Sequence, residues 1–286
     1  MTRTPRIQLR RGDARDLSWI PDASVHLVVT SPPYWNLKEY RDGAGQMGHI
    51  DDYAQFLGEL DRVWRHAYRV LVPGGRLVCV VGDVCLARKE HGRHLVVPLH
   101  ADIVVRCREV GFDNLNPILW YKVANIDYEG EGAGILGKPY EPNAIIKSDV
   151  EYILLQRKPG GYRSPTEEQR QRSRISKTNF TEWFQQLWRI SGATDPVHPA
   201  PFPLVLADRL VRMFSFWGDT VLDPFAGTGT TLLAAARAER DAIGVEVDPV
   251  YFDLAVRTAR SAGDLFLQPV VEVSSSAEPL AALRHG

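Results

Sequence analysis

Short, unbroken apolar runs recur along the chain at 7–9, 25–29, 77–81, 221–222 and 243–247. A run that is apolar throughout, rather than at alternate positions, predicts a strand buried on both faces, as in a parallel sheet. Between these runs the rhythm changes. Phe56, Leu57, Leu60, Val63, Trp64, Ala67 and Leu71 recur at helical spacing, and the pattern stops at Pro73-Gly74-Gly75. The stretches 100–109, 203–216 and 230–237 predict helices in the same way. Strands alternating with helices predict an α/β fold built on a doubly wound sheet.

The middle of the chain breaks this alternation. Residues 122–198 hold Gly-rich and Pro-rich stretches and a basic run. In that run Arg157, Lys158, Arg163, Arg170, Arg172, Arg174 and Lys177 face only Glu167 and Glu168, a local net of +5. Such a run is either a phosphate-contacting surface or a solvated loop face. Beyond 269 the composition is mixed and predicts a peripheral tail. The chain as a whole has 286 residues and a net charge of -1, so global charge points to no nucleic-acid partner. Its 44% apolar and 24% charged content is that of a soluble globular protein. It has no unbroken apolar run long enough to span a bilayer, and residues 1–16 lack the apolar core of a secretory signal. Cys79, Cys85 and Cys107 have no metal-ligand spacing and cannot all pair, which fits reduced thiols in a cytoplasm.

Two segments carry candidate chemistry. The first is Thr30-Ser31-Pro32-Pro33-Tyr34-Trp35, directly after the strand predicted at 25–29. Each proline fixes its own φ, lacks an N–H and biases the preceding residue toward extended geometry, so the chain leaves the strand through a stiff turn. A stiff turn carrying aromatics suits a site that must hold something flat. The second is Asp223-Pro224-Phe225-Ala226-Gly227-Thr228-Gly229-Thr230-Thr231, between a predicted strand and helix. Its glycines permit a tight turn and a close backbone approach to a ligand, and the helix start offers free N–H groups. Glu246 ends the next strand seventeen residues past Gly229, a spacing suited to a ribose. The third glycine of a nicotinamide-binding loop is missing, and so is the Gly-Lys-Ser/Thr of a phosphate loop. A nucleoside cofactor carrying a carboxylate, such as S-adenosylmethionine, fits better.

With both segments present, the sequence resembles the amino-methylating DNA methyltransferases that use S-adenosylmethionine. Their catalytic motif is [DNS]-P-P-[YFW]. The catalytic motif comes first here and the glycine loop late, which resembles the β-type, circularly permuted order. The resemblance implies a mostly parallel, Rossmann-like methyltransferase sheet with an inserted target-recognition region. It divides the chain into a catalytic half (1–121), a recognition region (122–197), a cofactor half (198–269) and a tail (270–286). It implies that Ser31, Pro32, Pro33 and Tyr34 are catalytic, with Trp35, Trp120 and Lys122 around the target base. Asp13, Ala14, Pro201, Phe202, Asp223, Phe225, Ala226, Gly227, Thr228, Gly229, Thr230, Thr231, Glu246 and Val247 would hold the cofactor. The segment Val80-Val81-Gly82-Asp83-Val84 matches the strand and turn flanking the site. Read alone, Asp13 is equally a turn residue, and a core residue is the better default for Trp120. The implied substrate is double-stranded DNA with an extruded base, and the basic run is the expected phosphate contact. Ser31 rather than aspartate at the motif's head points to cytosine N4, with adenine N6 as the alternative; an RNA methyltransferase or a silent DNA-binding module is more distant. Relatives of this kind also imply a homodimer and a cognate restriction endonuclease.

Overall fold

A computed structural model describes residues 3–35, 45–86, 88–122, 142, 146, 148–193, 203–263 and 268–275. Its strands, in chain order, are β1 (Arg6–Arg11), β2 (Val25–Thr30), β3 (Leu71–Val81), β4 (Val84–Leu86), β5 (Leu95–Val97), β6 (Asp113–Asn114), β7 (Ile118–Lys122), β8 (Val150–Arg157), β9 (Leu187–Ile190), β10 (Thr220–Asp223), β11 (Asp241–Glu246) and β12 (Val270–Ser275). Its helices are α1 (Tyr53–Val70), α2 (Arg88–His91), α3 (Leu99–Val110), α4 (Glu167–Arg172), α5 (Lys177–Trp183), α6 (Leu204–Phe214), α7 (Thr230–Arg237) and α8 (Pro249–Arg260). None is long and apolar enough to cross a membrane.

The central sheet runs β12-β1-β11-β10-β2-β3-β8-β7-β9, with β6 beside β8. From β12 to β3 every pairing is parallel; β8 then enters antiparallel to both β3 and β7. Both faces are covered, as the unbroken apolar runs predict. On one face α1 buries Phe56, Leu57, Leu60, Val63, Trp64 and Ala67 beside Ile103 and Cys107 of α3. On the other, α6, α7 and α8 bury Leu206, Leu210, Leu232 and Phe252 against Ile7, Leu9 and Val221. Each such large side chain contributes about 1.5–3 kcal/mol on burial. Asp52 starts α1 by accepting from Gln55 N (2.7 Å), and Asp248 starts α8 by accepting from Val250 N (2.8 Å) and Tyr251 N (3.0 Å).

Two further segments add strands to the sheet. Within the span 122–197, β8 sits inside the sheet between β3 and β7, and β9 extends it. In the tail, β12 adds a parallel edge strand to β1. Both strands are apolar enough to pair, but their neighbours in sequence hide the signal.

Candidate active site

In open α/β sheets ligands bind outside the carboxyl ends of the parallel strands. Here the carboxyl ends of β1, β2, β10 and β11 meet around one cavity of about 840 Å³, open mouth included. Its walls carry Ser31 and Pro33 from the first motif, and Phe225, Ala226, Gly227, Thr228, Thr230 and Thr231 from the second. Asp13, Ala14, Glu246 and Val247 complete the expected set. The two motifs, nearly two hundred residues apart in sequence, thus share a pocket.

Local hydrogen bonds hold its rim. Ala226 N donates to Val245 O (2.9 Å) and Gly12 N to Glu246 O (3.0 Å). The Glu246 carboxylate accepts from Gly227 N (2.8 Å) and Asp248 N (2.9 Å), which orients it at the strand end. Burial pushes its pKa up to about 7, against the opposing effect of those two N–H groups. Asp13 sits beside Arg15, whose Nε lies 2.9 Å from its carboxylate and whose Nη1 reaches Glu59 (2.9 Å). Arg15 stays charged more firmly than a free arginine, chiefly through its hydrogen bond to Asp13.

The residues present fit S-adenosylmethionine. The cavity is of nucleoside size. Glu246, though anchored, keeps lone pairs for ribose hydroxyls. Thr230 and Thr231 open α7, whose first N–H groups are available to a carboxylate.

Several expected residues take other roles. Asp223 is 1% exposed and does not line the cavity. It accepts from Thr30 Oγ1 (2.7 Å) and Phe225 N (3.0 Å), tying the catalytic strand to the glycine loop. Burial raises its pKa to about 6. Gly229 also stands off the wall: at φ 88° it caps α7, and a Cβ there would lie 3.1 Å from Ala255 Cα of α8. Its lack of a side chain lets α7 pack closely against α8. Pro201 and Phe202 lie outside the described residues.

Around the first motif, Pro32, Pro33 and Tyr34 are buried. Trp35 has a left-handed φ of 51°, costly for a bulky residue. Its indole donates to Ile50 O (2.8 Å) and meets Tyr53 edge-on at 5.1 Å, so it fixes the exit of the motif against α1. Trp120 is 1% exposed and donates to Ile190 O (2.8 Å). The structure corrects its expected place at the target base: it is a core residue of β7. Lys122, at the end of the same strand, pairs with Glu151 of β8. The other oxygen of Glu151 accepts from Tyr34 Oη at 3.0 Å.

The basic run goes to the opposite end of the sheet. Because β8 is antiparallel to β3, Arg157 and Lys158 lie far from Glu151, beside the amino-terminal half of β3. Arg157 pairs with Asp113 (2.8 Å), and Lys158 donates to Leu71 O (2.7 Å). Arg163 pairs with buried Asp219, just before β10. Arg172 bonds Glu168 (3.0 Å) and covers the Trp217 ring at 4.4 Å. Arg170, Arg174 and Lys177 are exposed. The run is therefore not gathered at the cavity.

Sequence reasoning missed Gly12, Gly45, Gln46, Met47, Pro224, Val245 and Tyr251, which line the cavity, and Glu151. No local pattern marks Gly45, Gln46, Met47 or Glu151; tertiary folding alone brings them in.

The comparisons agree with this geometry. A family model described as DNA methylase, of the N6/N4 type, matches residues 25–257. The type II methyltransferase M.MjaI of Methanocaldococcus jannaschii is 39% identical over 267 residues, covering 83% of this chain and 86% of its own. M.MthZI of Methanothermobacter thermautotrophicus is 34% identical over 277 residues, covering 89% and 76%. A Thermus thermophilus protein, provisionally described as a DNA modification methylase and solved with S-adenosyl-L-methionine, is 57% identical. It superimposes with a TM-score of 0.78 over 96% of this chain and 99% of its own. The cytosine-N4-specific PvuII DNA methyltransferase, 20% identical with a TM-score of 0.65 over 90% and 89%, shares the fold. The chain belongs to the N6/N4 family of DNA methylases, enzymes that methylate DNA with S-adenosylmethionine as cofactor.

Proposed function

We propose that the enzyme methylates the exocyclic N4 amine of a cytosine extruded from duplex DNA. The observation that carries this reading is Ser31, which heads the proline turn and faces the cofactor cavity. The amine of cytosine is conjugated to its ring and is a poor nucleophile. To attack a methyl group it must pyramidalise, and positive charge then develops on nitrogen. Acceptors aimed at its two hydrogens stabilise that charge. The Ser31 hydroxyl and the Pro32 carbonyl supply them, and the two prolines keep their spacing fixed. Tyr34 stacks on the base and sets its plane, so that positioning supplies much of the rate.

S-adenosylmethionine, when bound, supplies an electrophilic methyl group. Glu246 would hold its ribose, the Phe225–Thr231 loop would enclose it, and Asp13 and Ala14 would border the adenine. The proton leaving the methylated amine passes to water, since a serine hydroxyl is a weak base. A base within a duplex is out of reach of such a cavity, so extrusion is required, at a few kcal/mol of lost stacking and pairing. The DNA approaches the carboxyl end of the sheet, where Lys122 lies. A cognate endonuclease accompanies this reading through the type II names of its relatives.

The test is direct. Purified protein, S-adenosylmethionine and mixed-sequence DNA are incubated, and the DNA is digested and its nucleosides identified by mass spectrometry. N4-methylcytosine is the expected product. N6-methyladenine overturns the base assignment while keeping the site, and the absence of any methylated nucleoside overturns the reading as a whole.

A further inference from the structure

Glu151 is separated from Tyr34 by 117 positions and belongs to no motif, yet it touches the catalytic turn. Two hydrogen bonds run in series to Glu151, and a third meets them there from the other side. The Ser31 hydroxyl donates to Tyr34 Oη (3.4 Å), Tyr34 Oη–H donates to Glu151 Oε2 (3.0 Å), and the Lys122 ammonium donates to Glu151 Oε1. The Glu151 side chain is only 13% exposed. Gly82 makes room for the arrangement, because a Cβ there would lie 3.3 Å from both Glu151 Cγ and Tyr34 Cε2.

The direction follows from the chemistry of the end groups. A carboxylate only accepts and an ammonium only donates. With Lys122 donating to one oxygen, Glu151 accepts the Tyr34 hydroxyl proton on the other. Tyr34 oxygen is then an acceptor towards Ser31, and the Ser31 proton turns to Tyr34. The Ser31 lone pairs are left facing the cavity, where an amine hydrogen needs them. We infer that Glu151 is a positioning residue that sets the hydrogen-bond polarity of Ser31, through Tyr34, so that serine accepts from the target amine. This inference rests on the amine-methylation reading above.

Replacement by glutamine keeps the shape and reverses the polarity. Lys122 takes the amide oxygen, which turns the amide NH₂ to Tyr34. Tyr34 then donates to Ser31, and Ser31 points its proton at the amine. E151Q is expected to lower kcat at least about tenfold, equivalent to one hydrogen bond in the transition state. The dissociation constant for S-adenosylmethionine, measured by calorimetry, stays at the wild-type value. Y34F alone loses less, because phenylalanine still stacks and Ser31 is free to turn. The double variant E151Q/Y34F recovers to the Y34F level, since the reversed donor no longer has a hydroxyl to act on. That suppression is a readout that a packing role would not give. Wild-type kcat in E151Q, losses that multiply in the double variant, or loss of cofactor binding in E151Q each overturn the inference. Failure of the amine-methylation reading is distinguishable, because wild-type protein then methylates no DNA amine.

Discussion

In the proposed reading Ser31 and Glu246 divide the chemistry of the cavity between them, and each gives a measurable prediction. Ser31→Ala removes one acceptor from the developing charge and leaves the cofactor wall intact. Removal of one such group costs about a hundredfold in kcat; steady-state kinetics should show that loss with cofactor affinity unchanged. For Glu246 the argument is pH. Burial holds its pKa at about 7, so a large fraction of the carboxyl is protonated at neutral pH. Ribose hydroxyls donate best to the ionised form, so binding should tighten as pH rises through 7 and weaken roughly tenfold per unit below it. The probe is 5′-methylthioadenosine, which has the ribose but no amino-acid group to titrate. Calorimetry from pH 5.5 to 8 should follow this curve, and a flat profile would remove the ribose role from Glu246.

At the scale of elements, the site depends on how strands and helices are joined. Asp223 links β10 to the end of β2 through Thr30, and its raised pKa means that folding disfavours its ionisation. Between the ordinary carboxyl value and about 6 the folded state binds more protons than the unfolded, so this group's contribution to stability falls as pH rises. Asp223→Asn can still accept at the same atom, and its urea midpoint should show a shallower decline over that range than the wild type's. Gly229→Ala tests the junction of α7 and α8. The new methyl meets Ala255 backbone at 3.1–3.2 Å with φ at 88°, a loss of about 1–3 kcal/mol that a lowered Tm would report. The helix predicted at 230–237 coincides with α7 because a glycine cap and an unbroken apolar pattern mark both ends. α1 was legible from its stripe, but it ends at Val70, and Leu71 and the Pro-Gly-Gly expected to stop it lie in β3. α8 was missed although Asp248-Pro249 is a strong start signal, since the acid two residues earlier dominates that stretch. β8 escaped notice because its apolar core, Ile153-Leu154-Leu155, is flanked by charge on both sides. Glu151 could not be found from sequence at all, because its partners lie on other strands.

For the whole molecule the question is which end meets DNA. Composition is silent, and the one dense basic run looked like the answer. Topology redirects it, because β8 carries the chain from the catalytic end at Glu151 to the opposite end at Arg157. α4 stays there, held by Gln169 Nε2 on Trp217 O (3.1 Å) and by Arg172 over the Trp217 ring. Four members of the run have protein partners: Arg157, Lys158, Arg163 and Arg172. A duplex whose base enters a cavity between β2 and β10 lies across the carboxyl ends, and α4 faces away from it. Each phosphate contact contributes roughly 0.9 to the slope of log affinity against log salt. Neutralising Arg170 and Arg174 together should therefore leave that slope unchanged, whereas Lys122→Met at the carboxyl end should weaken DNA binding. Fluorescence anisotropy across a salt series decides it. A slope reduced by about 2 in the double variant would put the duplex on the far end of the sheet and would require the base to travel around the molecule, which the position of Ser31 forbids.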